Sequence, residues 1–143
     1  MSKIIYRTQH GKELLPVLDQ VIELYITSTL GERRPVQDRE CMAAMLEHGN
    51  LVITAWDVEV LVGIARSLTD FCYVAYLSDL AVRDSHQKQG IGTELIRQTQ
   101  LALGPAASIV LLAAPKAQDY YPKIGLQAHS SAWVLRPGMR LQG

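Results

Sequence analysis

The sequence predicts an α/β protein of the α+β type: a mixed, mostly antiparallel central sheet with helices on both faces. Three observations carry that expectation. Short β-branched and apolar runs alternate with segments of helical spacing in the order β-α-α-β-β-β-α-β-α-β. Three of the strands follow one another with short connections, as antiparallel neighbours do. The order is not a strict βαβ alternation, which disfavours a doubly wound nucleotide fold. The 143 residues fit one domain, residues 1–143, able to bury a core without staples.

Residues 3–8 are β-branched and aromatic enough for a first strand. Residues 12–29 place Leu14, Val17, Leu18, Val21, Ile22 and Tyr25 at helical spacing, with Gly31 closing the helix. Residues 38–48 form a shorter helix with Cys41, Met42, Met45 and Leu46 inward, ended by Gly49-Asn50. Residues 51–56 and 60–68 read as a hairpin about a tight turn at Asp57-Val58-Glu59, and Thr69-Asp70 ends it. Residues 73–82 form a long strand. Residues 90–103 form a helix facing inward through Ile91, Leu95, Thr99 and Ala102, with Ile96 and Leu103 beside them, stopped by Gly104-Pro105. A short apolar strand at 109–113, a helix at 116–124 interrupted by Pro122, and a last strand at 126–136 complete the chain.

Composition narrows the function. Fourteen basic residues balance fourteen acidic ones, which argues against nucleic acid as the main partner. Cys41 and Cys72 form no CxxC and read as free thiols of a reducing cytosol. No apolar run reaches the ~18 residues of a spanning helix, and the first residues lack a signal-peptide profile. The expectation is a cytoplasmic protein with no membrane partner. The four histidines share no metal-ligand spacing, so no metal is expected.

The chemistry lies in the stretch from Asp79 to Leu95, which runs strand, polar loop, glycines, helix. A helix N-terminus exposes unpaired N–H groups and a partial positive charge, and glycines let a ligand approach the backbone. Such a site suits a phosphate or pyrophosphate. The Walker pattern is missing, and Leu95 stands where the Rossmann pattern needs its third glycine. What matches is Q/R-x-x-G-x-G/A, filled by Gln87, Gly90 and Gly92. It follows a strand end at Leu80 and Val82 and opens an amphipathic helix.

This loop resembles the pyrophosphate loop of the GNAT family of N-acetyltransferases. A second stretch, Ala117 to Leu126, resembles the family's A-x-x-F/Y-Y-x-K-x-G-F, and its Tyr121 lies 34 residues beyond Gln87. The resemblance covers about residues 50–135; the first 48 fit only as strand-helix-helix. Ala114 stands where the family often has Asn, Leu126 where it has Phe, and Lys88 where it often has Gly.

The resemblance implies a GNAT fold with two splayed parallel strands, residues 73–82 and 109–113, that admit the pantetheine arm of acetyl-CoA. Leu80, Ala81 and Val82 would lie along that arm, and main-chain amides of Gln87, Lys88, Gln89, Gly90, Ile91, Gly92 and Thr93 would hold the pyrophosphate. It implies transfer of an acetyl group to a primary amine by direct attack, without a covalent enzyme intermediate. A main-chain N–H near Leu80 would stabilise the oxyanion. Tyr121 occupies the general-acid position, where a reference pKa of about 10 keeps a phenol protonated. The amine's proton goes to a base or a chain of waters; Asp79 is the candidate base, ahead of Glu32, Asp70 and His129. The acceptor is a small-molecule or peptide amine, with a lean toward arylalkylamines, and a homodimer is common in the family. The alternative is an inactive acyl-CoA sensor or interaction protein with the same fold.

Other residues carry plainer expectations. Tyr120, Met42 and Met45 read as core, Trp56 and Trp133 as packing or interface residues, and His86 as a surface residue. Arg33-Arg34 reads as a solvated pair; the sharper reading is that their loop, which borders the acceptor site in the family, recognises an anion.

Overall fold

The computed structural model describes residues 3–143. The chain forms two compact units, one extending to Leu112 and the other running Ala113–Gly143. The first contains a five-stranded sheet in the order β1-β2-β3-β4-β5. Its strands are β1 (Ile4–Gln9), β2 (Leu51–Asp57), β3 (Val60–Thr69), β4 (Val74–Val82) and β5 (Ser108–Val110). β1 to β4 pair antiparallel, each with the next, and β5 joins β4 in parallel. Helices α1 (Leu18–Thr27) and α2 (Arg39–His48) pack one face, and α3 (Ile91–Leu101) packs the other. The expected mixed, mostly antiparallel sheet with helices on both faces is thus the architecture of the chain.

Sandwiching explains the composition of the central hairpin. Residues Leu51–Trp56 of β2 and Leu61–Ser67 of β3 are buried on both sides, so they show no polar alternation. On one face Val52, Trp56, Leu61 and Ile64 meet Leu18, Val21, Leu24 and Tyr25 of α1 and Met42 and Leu46 of α2. On the other, Gly63 lets α3 approach closely. A Cβ there would lie 3.0 Å from Leu95 and 3.1 Å from Ile91 side-chain carbons.

The segment before α1 departs from the single helix expected at 12–29. Residues Gly11–Val17 form a 3₁₀ helix capped reciprocally by His10 and Glu13, and the α-helix begins only at Leu18. Pro16 lacks the N–H that would continue an α-helical ladder there. The chain leaves α1 through Thr29, which adopts φ 72°, so that threonine and not Gly31 makes the left-handed turn. Cys41, expected inward, is exposed in the first turn of α2, where its amide donates to the Asp38 cap and its neighbour Met42 takes the buried position.

Gly11 is required by close approach. Its N–H donates to the Gly49 carbonyl at 2.8 Å. A Cβ would collide with the Leu46 carbonyl oxygen and lie 2.9 Å from that of Gly49. Gly11→Ala should therefore destabilise the fold by about 1–3 kcal/mol, the usual cost of overpacking, read as a lower urea midpoint at unchanged m-value. An unchanged midpoint would show that the 3₁₀ segment slides away at no cost.

Two irregularities shape β4. Asp79 pairs with Arg66 and Leu77 with Ser67, which leaves Ser78 as an unpaired bulge residue. Side chains alternate faces along β3, so the extra residue moves Asp79 to the face opposite Leu77. The second irregularity concerns the other edge. β5 pairs only with Val74, Ala75 and Tyr76, whereas β3 follows β4 as far as Val82. From Leu77 onward β4 has no β5 partner, and its edge within the first unit is open.

The second unit is smaller. It holds a 3₁₀ turn at Pro115–Ala117 and a single-turn helix α4 (Tyr120–Lys123) in place of the helix expected at 116–124. Two features keep α4 short: Pro122 carries no N–H, and Gly125 adopts φ 107°. The strand expected at 126–136 does not form. A strand exists only through pairing, and Gln127 to Ser131 supplies one small apolar residue, Ala128, among polar ones. Trp133 in that stretch is exposed, and Trp56 is buried with its indole N–H on the Thr54 hydroxyl at 2.9 Å.

Candidate active site

The loop between β4 and α3 is built as an open cup of main-chain nitrogens. Lys88 and Gly90 both adopt left-handed conformations, φ 62° and 82°, which curls the chain so that successive N–H groups face one side. Glycine takes that conformation freely; Lys88 takes it against its side chain, at a cost of about 1–2 kcal/mol. Gly90 is the N-cap of α3 and supplies no side chain to cap it. The amides of Lys88, Gln89, Gly90, Ile91 and Gly92 donate to no acceptor among the described residues. Lys88, Gln89 and Gly90 are exposed. Unpaired amides at the positive end of a helix form an anion site.

Three side chains, Gln87, Arg83 and His86, hold the cup in place. Gln87 turns back and donates to the Val82 carbonyl at 3.0 Å, so its side chain closes the loop. Arg83 reaches the Leu61 carbonyl at 3.0 and 3.2 Å and pairs with Glu23 of α1 at 2.6 Å. His86, expected at the surface, is partly buried. One ring nitrogen meets Asp57 at 2.8 Å and the other meets the Ser85 hydroxyl at 2.7 Å. The loop is thereby tied to the end of the β2–β3 hairpin.

Leu80, Ala81 and Val82 lie on the part of β4 whose outer edge is open. Alternate N–H and C=O groups of such an edge are available to an added extended chain. The open edge runs directly into the cup. An elongated ligand with an amide-bearing arm and a phosphate group fits that sequence of donors and acceptors.

Asp79 lies inside the sheet at the centre of a charge cluster. Its side chain is fully buried. One carboxylate oxygen accepts from the Tyr25 hydroxyl at 2.7 Å and Arg66 Nε at 2.6 Å; the other accepts from Arg34 Nε at 2.6 Å and the Ser78 hydroxyl at 3.2 Å. Burial pushes its pKa up, but Arg66, Tyr25 and Arg34 together outweigh burial and hold the carboxyl below the usual range. Burial, reinforced by the Asp79 charge, pushes the Tyr25 phenol well above its ordinary value, so Tyr25 stays a donor.

Local sequence pattern assigns neither Arg66 nor Tyr25 a part in the site. Tyr25 looked like one more apolar position of a helix. Arg66 carried a usable signal: an arginine amid Val62-Gly63-Ile64-Ala65 of a buried strand needs a carboxylate. Arg34 is not a solvated residue. Its guanidinium spans Asp79, the Ser78 carbonyl at 2.7 Å and the Arg33 carbonyl at 2.8 Å. It also lines a shallow hollow with Gly31, Pro35 and Val36.

The remaining base candidates are placed as follows. Asp70 accepts from the amides of Tyr73, Cys72 and Val74 in the β3–β4 turn, and those bonds lower its pKa. His129 accepts from the Ser131 amide. Glu32 is exposed. Tyr121 belongs to α4 of the second unit, half-buried, with its ring edge-on to Tyr120 at 5.2 Å.

Solved structures share this fold. A GNAT-family acetyltransferase from Streptococcus pneumoniae superposes with a TM-score of 0.71 at 23% identity, covering 94% of this chain and 99% of its own. An aminoglycoside acetyltransferase from an uncultured soil metagenomic sample, solved with trehalose, gives 0.72 at 24%, covering 96% and 97%. The aminoglycoside N-acetyltransferase AAC(6')-Iy, solved with CoA, gives 0.70 at 16%, covering 95% of each. At these identities the likeness is one of fold. The family model for the acetyltransferase (GNAT) domain matches residues 28–142, and the chain belongs to the GNAT acetyltransferase family. No helix among the described residues is long and apolar enough to cross a membrane.

Proposed function

We propose that this protein transfers an acetyl group from acetyl-CoA to a primary amine, by direct attack within one acetyltransferase domain formed by both units. The observation that carries the reading is the set of unused main-chain amides from Lys88 to Gly92 where the open edge of β4 ends. The family match, which crosses the boundary between the units, supports the single domain. Acetyl-CoA supplies an activated acyl group and a thiolate leaving group. The cup fits its diphosphate, and the edge from Leu77 to Val82 fits the amides of its pantetheine arm.

Within this reading Tyr121 donates the proton that the leaving thiolate takes up. The amine's proton passes to water and not to Asp79. A carboxylate has about four lone-pair sites, and four donors already fill those of Asp79. A lowered pKa also makes it a poorer base near neutrality. Asp79 is instead the buried anchor that holds β3, β4, α1 and the segment before α2 in register. Aminoglycoside acetyltransferases among the structural neighbours support a small-molecule acceptor.

Acetyl-CoA at 100 times its Kd should stabilise the folded state by about 2.7 kcal/mol through mass action, read as a rise in Tm. CoA release monitored over a panel of primary amines then tests turnover. No Tm shift at millimolar acetyl-CoA would refute the reading. A shift without CoA release on any amine would favour an acyl-CoA sensor.

A further inference from the structure

The bulge at Ser78 lies two residues beyond Tyr76, the last residue of β4 paired with β5, and two before Leu80. A bulge bends its strand and raises the local twist, so this one sits where β4 parts from β5. The carbonyl and the hydroxyl of Ser78 each accept from an arginine. Arg34 Nη2 donates to the Ser78 carbonyl at 2.7 Å while its Nε holds Asp79 at 2.6 Å. Arg66 Nη2 donates to the Ser78 hydroxyl at 3.1 Å, and its Nη1 reaches the Met45 carbonyl of α2 at 3.2 Å.

Arg66 comes from the paired strand and would follow β4 wherever it went. Arg34 comes from the α1–α2 connection, 44 residues away in sequence, and adds an external fixed point. Its rigid planar fork bonds the carboxylate through one nitrogen and the preceding carbonyl through another. We propose that Arg34 is a positioning residue: it pins the Ser78 bulge to the α1–α2 connection and so sets the open edge of β4. The edge's part in binding acetyl-CoA rests on the function proposed above; the pin itself does not. The pin also links the segment lining the hollow at Gly31–Val36 to the strand edge.

The test compares wild type, Arg34→Met and Arg34→Lys in two ways. Amide hydrogen exchange without ligand reads the strand, and calorimetric titration with acetyl-CoA reads the edge. Arg34→Met should speed exchange at residues 77–82 at least tenfold more than at residues 51–57 of β2, and weaken acetyl-CoA at least tenfold. Arg34→Lys should restore the charge opposite Asp79 and recover Tm, while local exchange stays fast, because an ammonium cannot reproduce the fork. A general loss of stability would speed exchange uniformly across the sheet, and that uniform pattern overturns the pin. So does exchange at 77–82 that matches wild type in both variants. Should wild type not bind acetyl-CoA at all, the proposed function falls, and exchange alone still decides the pin.

Discussion

Asp79→Asn should lower the unfolding free energy at neutral pH by about 3–5 kcal/mol, the cost of removing one partner from a buried ion pair. The substitution keeps the shape of the side chain but leaves Arg66 and Arg34 buried or half-buried without their counter-ion. The pH dependence is the sharper test. The folded Asp79 carboxyl titrates below its ordinary value, while the unfolded one titrates near 3.9. The folded state therefore binds fewer protons than the unfolded state between those two values. The stabilisation is complete above about pH 4 and is lost as pH falls through the folded value. Urea unfolding from pH 7 to pH 2.5 should show wild type and Asp79→Asn converging in acid. Parallel curves would mean that the cluster holds no net electrostatic stability.

Tyr121→Phe should lower kcat by about 10²- to 10⁴-fold, the range of a general acid's contribution, and leave acetyl-CoA affinity within about twofold. Phenylalanine keeps the ring and its edge-on contact with Tyr120 and removes only the hydroxyl. A loss confined to kcat points to a group used in the transition state and not in binding. Equal kcat for wild type and variant would remove Tyr121 from the chemistry, and the leaving thiolate would then take its proton from water.

These two residues differ in how the sequence presents them. Tyr121 stands out through a short local pattern, Ala117 to Leu126, whose spacing from Gln87 is readable in one dimension. Asp79 stands out too, but its circumstances do not. Which face of the sheet it points to, and so whether it meets the buried cluster, depends on one extra residue, the Ser78 bulge. Period-two reasoning assumes no such insertion. Arg34, separated from β4 along the chain by α2, β2 and β3, enters the cluster only because the sheet and α1 bring Asp79 and Tyr25 within reach.

The sequence by itself determined the sandwiched β2–β3 hairpin, the amphipathic α1, α2 and α3, and the glycine turn opening α3, because these follow from local periodicity and from backbone freedom at Gly90. Tertiary structure alone decided where β4 loses its parallel neighbour, which carboxylate oxygens are filled, and that residues 126–136 form no strand. Each of those depends on pairing between segments far apart in the chain, and a pairing partner is a property of the folded arrangement that no local pattern contains.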